Sequence, residues 1–174
     1  MMLERMRQDE HDAVYRLMLA SFPRDELRSC EDQRALLCEP TYHPYVMHGE
    51  GGEVIALMTV WELEEVVFLE HFAVSPTLRG GGLGSRLLGE LIERYAKPIC
   101  LEVERPETDV ARRRIEFYRR NGFYLNGYDY EQPAYGTDRA SVPLLIMTTG
   151  GEIDIAAFER IRNSLYREVY HCLA

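Results

Sequence analysis

The sequence predicts an α+β protein built on one mixed sheet, and three observations carry that prediction. Apolar runs separated by glycine and acidic turns come first, at residues 45–47, 54–63 and 66–74, and read as strands joined by hairpins. A strand–helix–strand unit comes next, in which a helical stripe from Leu83 separates the run at 66–74 from another at 99–103. A second helix and two more strands complete the pattern. With 174 residues and 46% hydrophobic content, the chain is expected to form a single domain spanning 1–174.

Each element has a local reason. Asp9 is expected to cap a first helix with Asp12 as its N3 carboxylate, placing Val14, Leu17, Met18 and Phe22 on one face until Pro23 ends it. A short helix over 32–38 precedes Pro40, and Gly49-Glu50-Gly51-Gly52 makes the first hairpin turn. Leu83, Leu87, Leu88, Leu91, Ile92 and Tyr95 form a stripe ending before Pro98; a further helix is expected over 110–120, with strands at 123–130 and 142–148. After Gly150-Gly151 comes an extra C-terminal helix, 155–172, with Ile155, Phe158, Ile161, Leu165 and Val169 at helical spacing. That stripe has to be covered, by the chain's own sheet or by a homodimer partner.

Composition excludes several classes. A net charge of −9 argues against nucleic acid and favours a cationic substrate. The first residues are charged and no apolar run reaches membrane-spanning length, so neither a signal nor a membrane partner is expected. Cys30, Cys38, Cys100 and Cys172 lack C-x-x-C spacing, which fits reduced thiols and a cytoplasmic location. His43 and His48 have no ligand partners at metal spacing, and no metal is expected.

The most informative stretch is Phe72 to Leu88, FAVSPTLRGGGLGSRLL. Ser75-Pro76 ends a buried strand, then Arg79 and four glycines within five residues feed a helix start. The first turn of a helix has N–H groups without intrahelical partners, and glycines let a phosphate approach them. A Walker-type loop would need Lys-Ser or Lys-Thr after Gly84, where Ser85-Arg86 stands. A Rossmann dinucleotide fingerprint is closer, with Glu102 or Glu104 as the ribose ligand. It fails because five residues separate Val74 from Gly80 and only 90 follow Gly84.

The order of strand, Val74-Ser75-Pro76, Arg79-Gly80-Gly81-Gly82-Leu83-Gly84 and amphipathic helix resembles the acetyl-CoA site of the GNAT superfamily of N-acetyltransferases. A second family-like motif is Phe117-Tyr118-Arg119-Arg120-Asn121-Gly122-Phe123. The resemblance spans about Val54 to Phe123. It implies a mostly antiparallel GNAT-like sheet of about seven strands flanked by helices. It further implies acetyl-CoA as co-substrate, bound by Phe72, Ala73 and Val74 and by the loop of Arg79, Gly80, Gly81, Gly82, Leu83, Gly84 and Ser85. The family's activity is acetyl transfer to a primary amine of a small molecule or peptide, by direct attack in a ternary complex. A CoA-binding regulatory or sensor module without turnover is the alternative.

An ammonium must lose a proton and a departing thiolate must be offered one. By resemblance Tyr118 is the acid. Glu70 is the expected base, because a carboxylate within an apolar strand needs a cleft or a partner. Strict alternation gives it a face with Phe68, Phe72 and Val74, and His71 on the other face is the competing base. One departure from the family is Ala111, where an asparagine is usual; Arg114 replaces a usual small residue. Arg112, Arg113, Arg114, Arg119 and Arg120 either bind CoA phosphates or pair with Glu107, Asp109 and Glu116. Tyr42, Tyr128 and Tyr130 are expected to line the acceptor pocket, with Asp129 or Glu131 attracting the ammonium.

Overall fold

A computed structural model describes residues 2–172. Its strands are β1 (Glu4–Arg5), β2 (Tyr42–His48), β3 (Val54–Glu62), β4 (Val67–Val74), β5 (Ile99–Glu104), β6 (Phe123–Gln132) and β7 (Val142–Thr149). They form one sheet in the order β1-β2-β3-β4-β5-β7-β6, and only the β4–β5 pair is parallel. The helices are α1 (His11–Leu19), α2 (Cys30–Ala35), α3 (Leu83–Arg94), α4 (Asp109–Arg120) and α5 (Ile155–Ser164). This is the α+β architecture expected, with seven strands.

Period-two alternation divides the core. Met58, Val60, Val67, Leu69 and Leu101 face the layer of α3 and α4, packing on Leu87, Leu88, Leu91 and Ile115. On the opposite face, Trp61, Phe68, Cys100 and Ile146 pack on Phe158, Ile161 and Leu165 of the C-terminal segment. Leu57 and Ala73 pack on Val14 and Met18 of α1. The last helix is therefore covered by its own chain; of its expected stripe only Ile155 is exposed.

Several boundaries differ from expectation. Asp9 caps nothing: a 3-10 turn (Gln8–Glu10) leads into α1, and the Glu10 carboxylate accepts from the Arg7 N–H at 2.7 Å. The second helix starts earlier, because Ser29 accepts the Asp32 N–H at 3.0 Å and so fixes its N-terminus. β1 was not foreseen; two residues carry no periodicity. α5 ends at Ser164 and continues as a π turn (Leu165–Val169) rather than as regular helix to Cys172.

Candidate active site

Two irregularities of β4 create the site. Its parallel pairing with β5 stops at Leu69↔Leu101, although β4 runs on to Val74 beside β3 and β5 to Glu104 beside β7. Beyond that point the strands part. Main-chain groups that would otherwise close a ladder then face a cleft of about 1010 Å³. β4 also carries a bulge: Leu69 opposes Val60 and His71 opposes Thr59, leaving Glu70 as the extra residue.

The bulge reverses the alternation. Leu69 lies in the α3–α4 layer, and Phe72 and Val74 pack on that same layer. Glu70 therefore does not share their face, as strict alternation required. It turns to the other side, where Trp61 donates Nε1–H to Oε2 at 2.9 Å and Tyr135 donates its hydroxyl to Oε1 at 2.8 Å. Arg28 completes the set with an ion pair of 2.6 Å, both side chains being at most 7% exposed. Desolvation would raise the Glu70 pKa, but the Arg28 charge, the adjacent His71 ring and the Trp61 donor hold it well below the usual carboxylate range. The Arg28 guanidinium lies 4.2 Å from the Tyr135 ring centroid and donates to the Val169 carbonyl at 3.0 Å.

His71 is equally occupied. Its Nε2 lies 2.9 Å from the Glu26 carbonyl, which can only accept, so Nε2 carries the proton and Nδ1 accepts from Thr59 Oγ1 at 2.9 Å.

The loop after β4 forms one end of the cleft. Pro76–Leu78 makes a 3-10 turn, and Gly80 and Gly82 take left-handed φ values of 85° and 78°. Gly82 is the N-cap of α3 and no side chain caps it. The first helical bond runs from the Arg86 N–H to the Gly82 carbonyl, so the amides of Leu83, Gly84 and Ser85 have no intrahelical partner. At Gly84 a Cβ would meet Phe117 Cζ at 3.1 Å, so glycine there permits close packing of α3 on α4. Phe72, Ala73, Val74, Arg79, Gly80, Gly82, Leu83, Gly84 and Ser85 all line the cleft; Gly81 does not.

The arginines of α4 divide by partner. Arg112 pairs with Asp109, Arg119 with Glu116 and Arg114 with Glu104, each at 2.6 Å. Arg113 and Arg120 line the cleft and make no ion pair among the described residues. Tyr118 also lines it, between the rings of Phe117 and Phe123. Burial pushes its phenol up to about 12, so it keeps its proton at neutral pH.

The other end is acidic. Glu102 follows the last β4–β5 pair and accepts hydroxyl protons from Tyr130 and from Tyr170, the latter at 2.8 and 2.9 Å. No arginine, lysine or histidine pairs with it among the described residues, and burial pushes its pKa up to about 8. Glu26, on the 3-10 turn Arg24–Glu26, is raised by burial and by Glu104. Glu26, Glu70, Glu102 and Glu104 all line the cleft.

The expected acceptor residues fall elsewhere. Tyr42 is buried on Trp61, its hydroxyl accepting from Gln33 at 2.6 Å. Tyr128 stacks on Phe158 and donates to the Ile153 carbonyl at 3.0 Å. Tyr130 reaches the cleft only through Glu102. Asp129 pairs with Arg105 at 2.9 Å, and the Glu131 carboxylate accepts from Ser141. None of these five lines the main cleft. Strand tyrosines pack well, and a bulge between Asn126 and Tyr130 redirects this strand. Arg28, Glu102, Tyr135 and Tyr170 were missed. Only Glu102 had a local signal, the same one that drew attention to Glu70: an acid in an apolar strand. His43 has one carboxylate neighbour, Glu62 at 3.7 Å, and His48 has two, Glu4 at 3.9 Å and Glu10 at 2.5 Å. One trio, His11, Asp12 and Cys30, has metal-compatible spacing, but Arg34 already pairs with Asp12 at 2.6 Å.

A splayed parallel pair, a glycine loop at a helix start and a buried tyrosine on the next helix define one class of protein. The acetyltransferase (GNAT) family model matches residues 11–123, and the chain belongs to that family, an acyltransferase family. The protein YjbC of Bacillus subtilis (strain 168), named as a candidate acetyltransferase, is 33% identical over 130 residues, covering 73% of this chain. The chain spans 65% of that relative's length. A GNAT-family structure from Bacteroides thetaiotaomicron is 34% identical, covers 100% of both chains and superposes with a TM-score of 0.88. An aminoglycoside 6'-N-acetyltransferase complexed with coenzyme A shares the fold, with a TM-score of 0.63, 16% identity and coverage of 86% and 96%. No helix among the described residues is long and apolar enough to cross a membrane.

Proposed function

We propose that the protein transfers an acetyl group from acetyl-CoA to a primary amine of a small molecule or peptide. The observation that carries this reading is the polarity of one cleft. It offers two kinds of group: free N–H groups with Arg79, Arg113 and Arg120, which make no ion pair among the described residues, and four glutamates, of which Glu70 and Glu104 are paired with Arg28 and Arg114 while Glu26 and Glu102 make no ion pair among the described residues. Pyrophosphate suits the first and an ammonium the second. Past Leu69 and Leu101, where β4 and β5 no longer pair with each other, their main-chain groups would be available to the amides of an extended pantetheine arm.

In the reaction the amine nitrogen attacks the thioester carbonyl carbon, the C–N bond forms and the C–S bond breaks. The ammonium first gives a proton to a carboxylate. We assign that role to Glu102 rather than Glu70, because Glu70 is held in a buried ion pair with Arg28 whereas Glu102 has only neutral hydroxyl partners among the described residues. A group titrating near 8 accepts a proton better than one held far below neutrality. We assign Tyr118, which lines the cleft, to the departing sulfur. With a phenol near 12, full transfer to a thiolate is uphill, so its contribution is a hydrogen bond that strengthens as sulfur charge develops. A second nitrogen proton is lost and the sulfur ends protonated.

The test is thiol release from acetyl-CoA across amines, amino acids, polyamines and short peptides. Release that depends on an amine is expected. Acetyl-CoA binding with no release for any amine would favour the sensor module.

A further inference from the structure

The segment after α5 reaches Glu102, a residue of the cleft wall, from behind the cleft. The π turn Leu165–Val169 closes through a bond from the Tyr170 N–H to the Leu165 carbonyl at 3.0 Å. One extra residue in a turn rotates the next side chains by about 100° relative to regular helix. Two groups are aimed inward as a result. The Val169 carbonyl accepts from Arg28 at 3.0 Å, and the Tyr170 hydroxyl reaches both oxygens of Glu102. Tyr170 is 9% exposed, with its ring 5.3 Å from that of Tyr135.

We propose that Tyr170 is a positioning residue for acetyl transfer: it fixes the Glu102 carboxylate toward the acceptor amine and sets the pH at which that carboxylate accepts a proton. The proposal rests on Glu102 as the proton acceptor. The groups facing Glu102 are Tyr130 of β6, Tyr170, Glu70 of β4 and Glu26, with Cys100 on its own strand. The two other glutamates and burial oppose its ionisation. With no cation paired to it among the described residues, the two hydroxyls are the groups that favour the charged form.

Removing one donor should raise the pKa of the carboxyl. The test compares pH profiles of kcat/KM for wild type, Glu102→Gln, Tyr170→Phe and a protein with 3-fluorotyrosine at 170, a stronger donor. The acid limb that disappears in Glu102→Gln belongs to Glu102. Tyr170→Phe should move that limb up by about one pH unit and lower kcat/KM at pH 7 about tenfold. The rate at the alkaline plateau and KM for acetyl-CoA should stay near wild type. Fluorination should move the limb the other way, which keeps the proposal testable even if Tyr170→Phe folds poorly. Tyr166→Phe removes a hydroxyl from the same turn whose partner is the Glu131 carbonyl, and should leave the limb in place. If Glu102→Gln loses the limb while fluorination and Tyr170→Phe leave it unmoved, the positioning role is overturned and the Glu102 assignment stands. If Glu102→Gln keeps the limb, both are overturned.

Discussion

The two ends of the cleft are made in opposite ways. The glycine-loop end is main chain: left-handed glycines and a helix start that no side chain caps. The end proposed for the acceptor is side chain: Arg28, Glu70, Glu102, Tyr130, Tyr135 and Tyr170, drawn from the start, middle and end of the sequence. A contiguous backbone device gives one fixed affinity for a common group. A network of distant side chains can be retuned residue by residue, so acceptor choice can change while the loop stays the same.

The sharpest way to break that contrast is Gly82→Leu. The residue has open space around it, so the fold should survive the roughly 1 kcal/mol of left-handed strain, but the side chain enters the anion site. Acetyl-CoA affinity should fall by about a hundredfold or more in calorimetric titration; unchanged affinity would refute the loop assignment. Tyr118→Phe comes next. Turnover should drop about a hundredfold with KM for acetyl-CoA within twofold, because only a transition-state hydrogen bond is lost.

Arg28→Met probes the acceptor end through stability. It strands Glu70 as an uncompensated buried charge and should destabilise by about 3–5 kcal/mol in denaturant unfolding. The sign with pH comes from the lowered Glu70 pKa. In wild type that pair's stabilisation is present above the unfolded carboxyl pKa, about 4.3, and is lost as pH falls through the lower folded value. The variant should lose that acid dependence, and an unchanged acid limb of stability would contradict the pairing. Glu102 works oppositely, since its raised pKa removes stability as pH rises toward about 8. The smallest effect is Arg120→Ala: a threefold to tenfold rise in KM for acetyl-CoA with stability unchanged, as expected for one exposed phosphate contact.

Legibility followed the same division. Strands, the α3 stripe and the glycine turn into α3 were readable because each is a local periodicity or a local turn. The Phe117-Tyr118 motif was readable because it is contiguous. Glu70 was noticed, yet its direction was misassigned: one bulge residue reverses every later side chain, and nothing in LEHFAV announces it. Arg28 sits in an irregular segment and reaches Glu70 across 42 positions. Tyr170 meets Glu102 across 68, by way of a π turn that helical spacing cannot distinguish from regular helix. Tyr42 and Tyr128 had the composition of an acceptor wall but were used for packing.

The most direct test of the account is Glu102→Gln, measured for acetyl-CoA binding and turnover on the same preparation. The two ends being separate devices, acetyl-CoA affinity should match wild type while kcat at neutral pH falls about a hundredfold. Wild-type turnover, or a loss of acetyl-CoA affinity equal to the loss of rate, would contradict it.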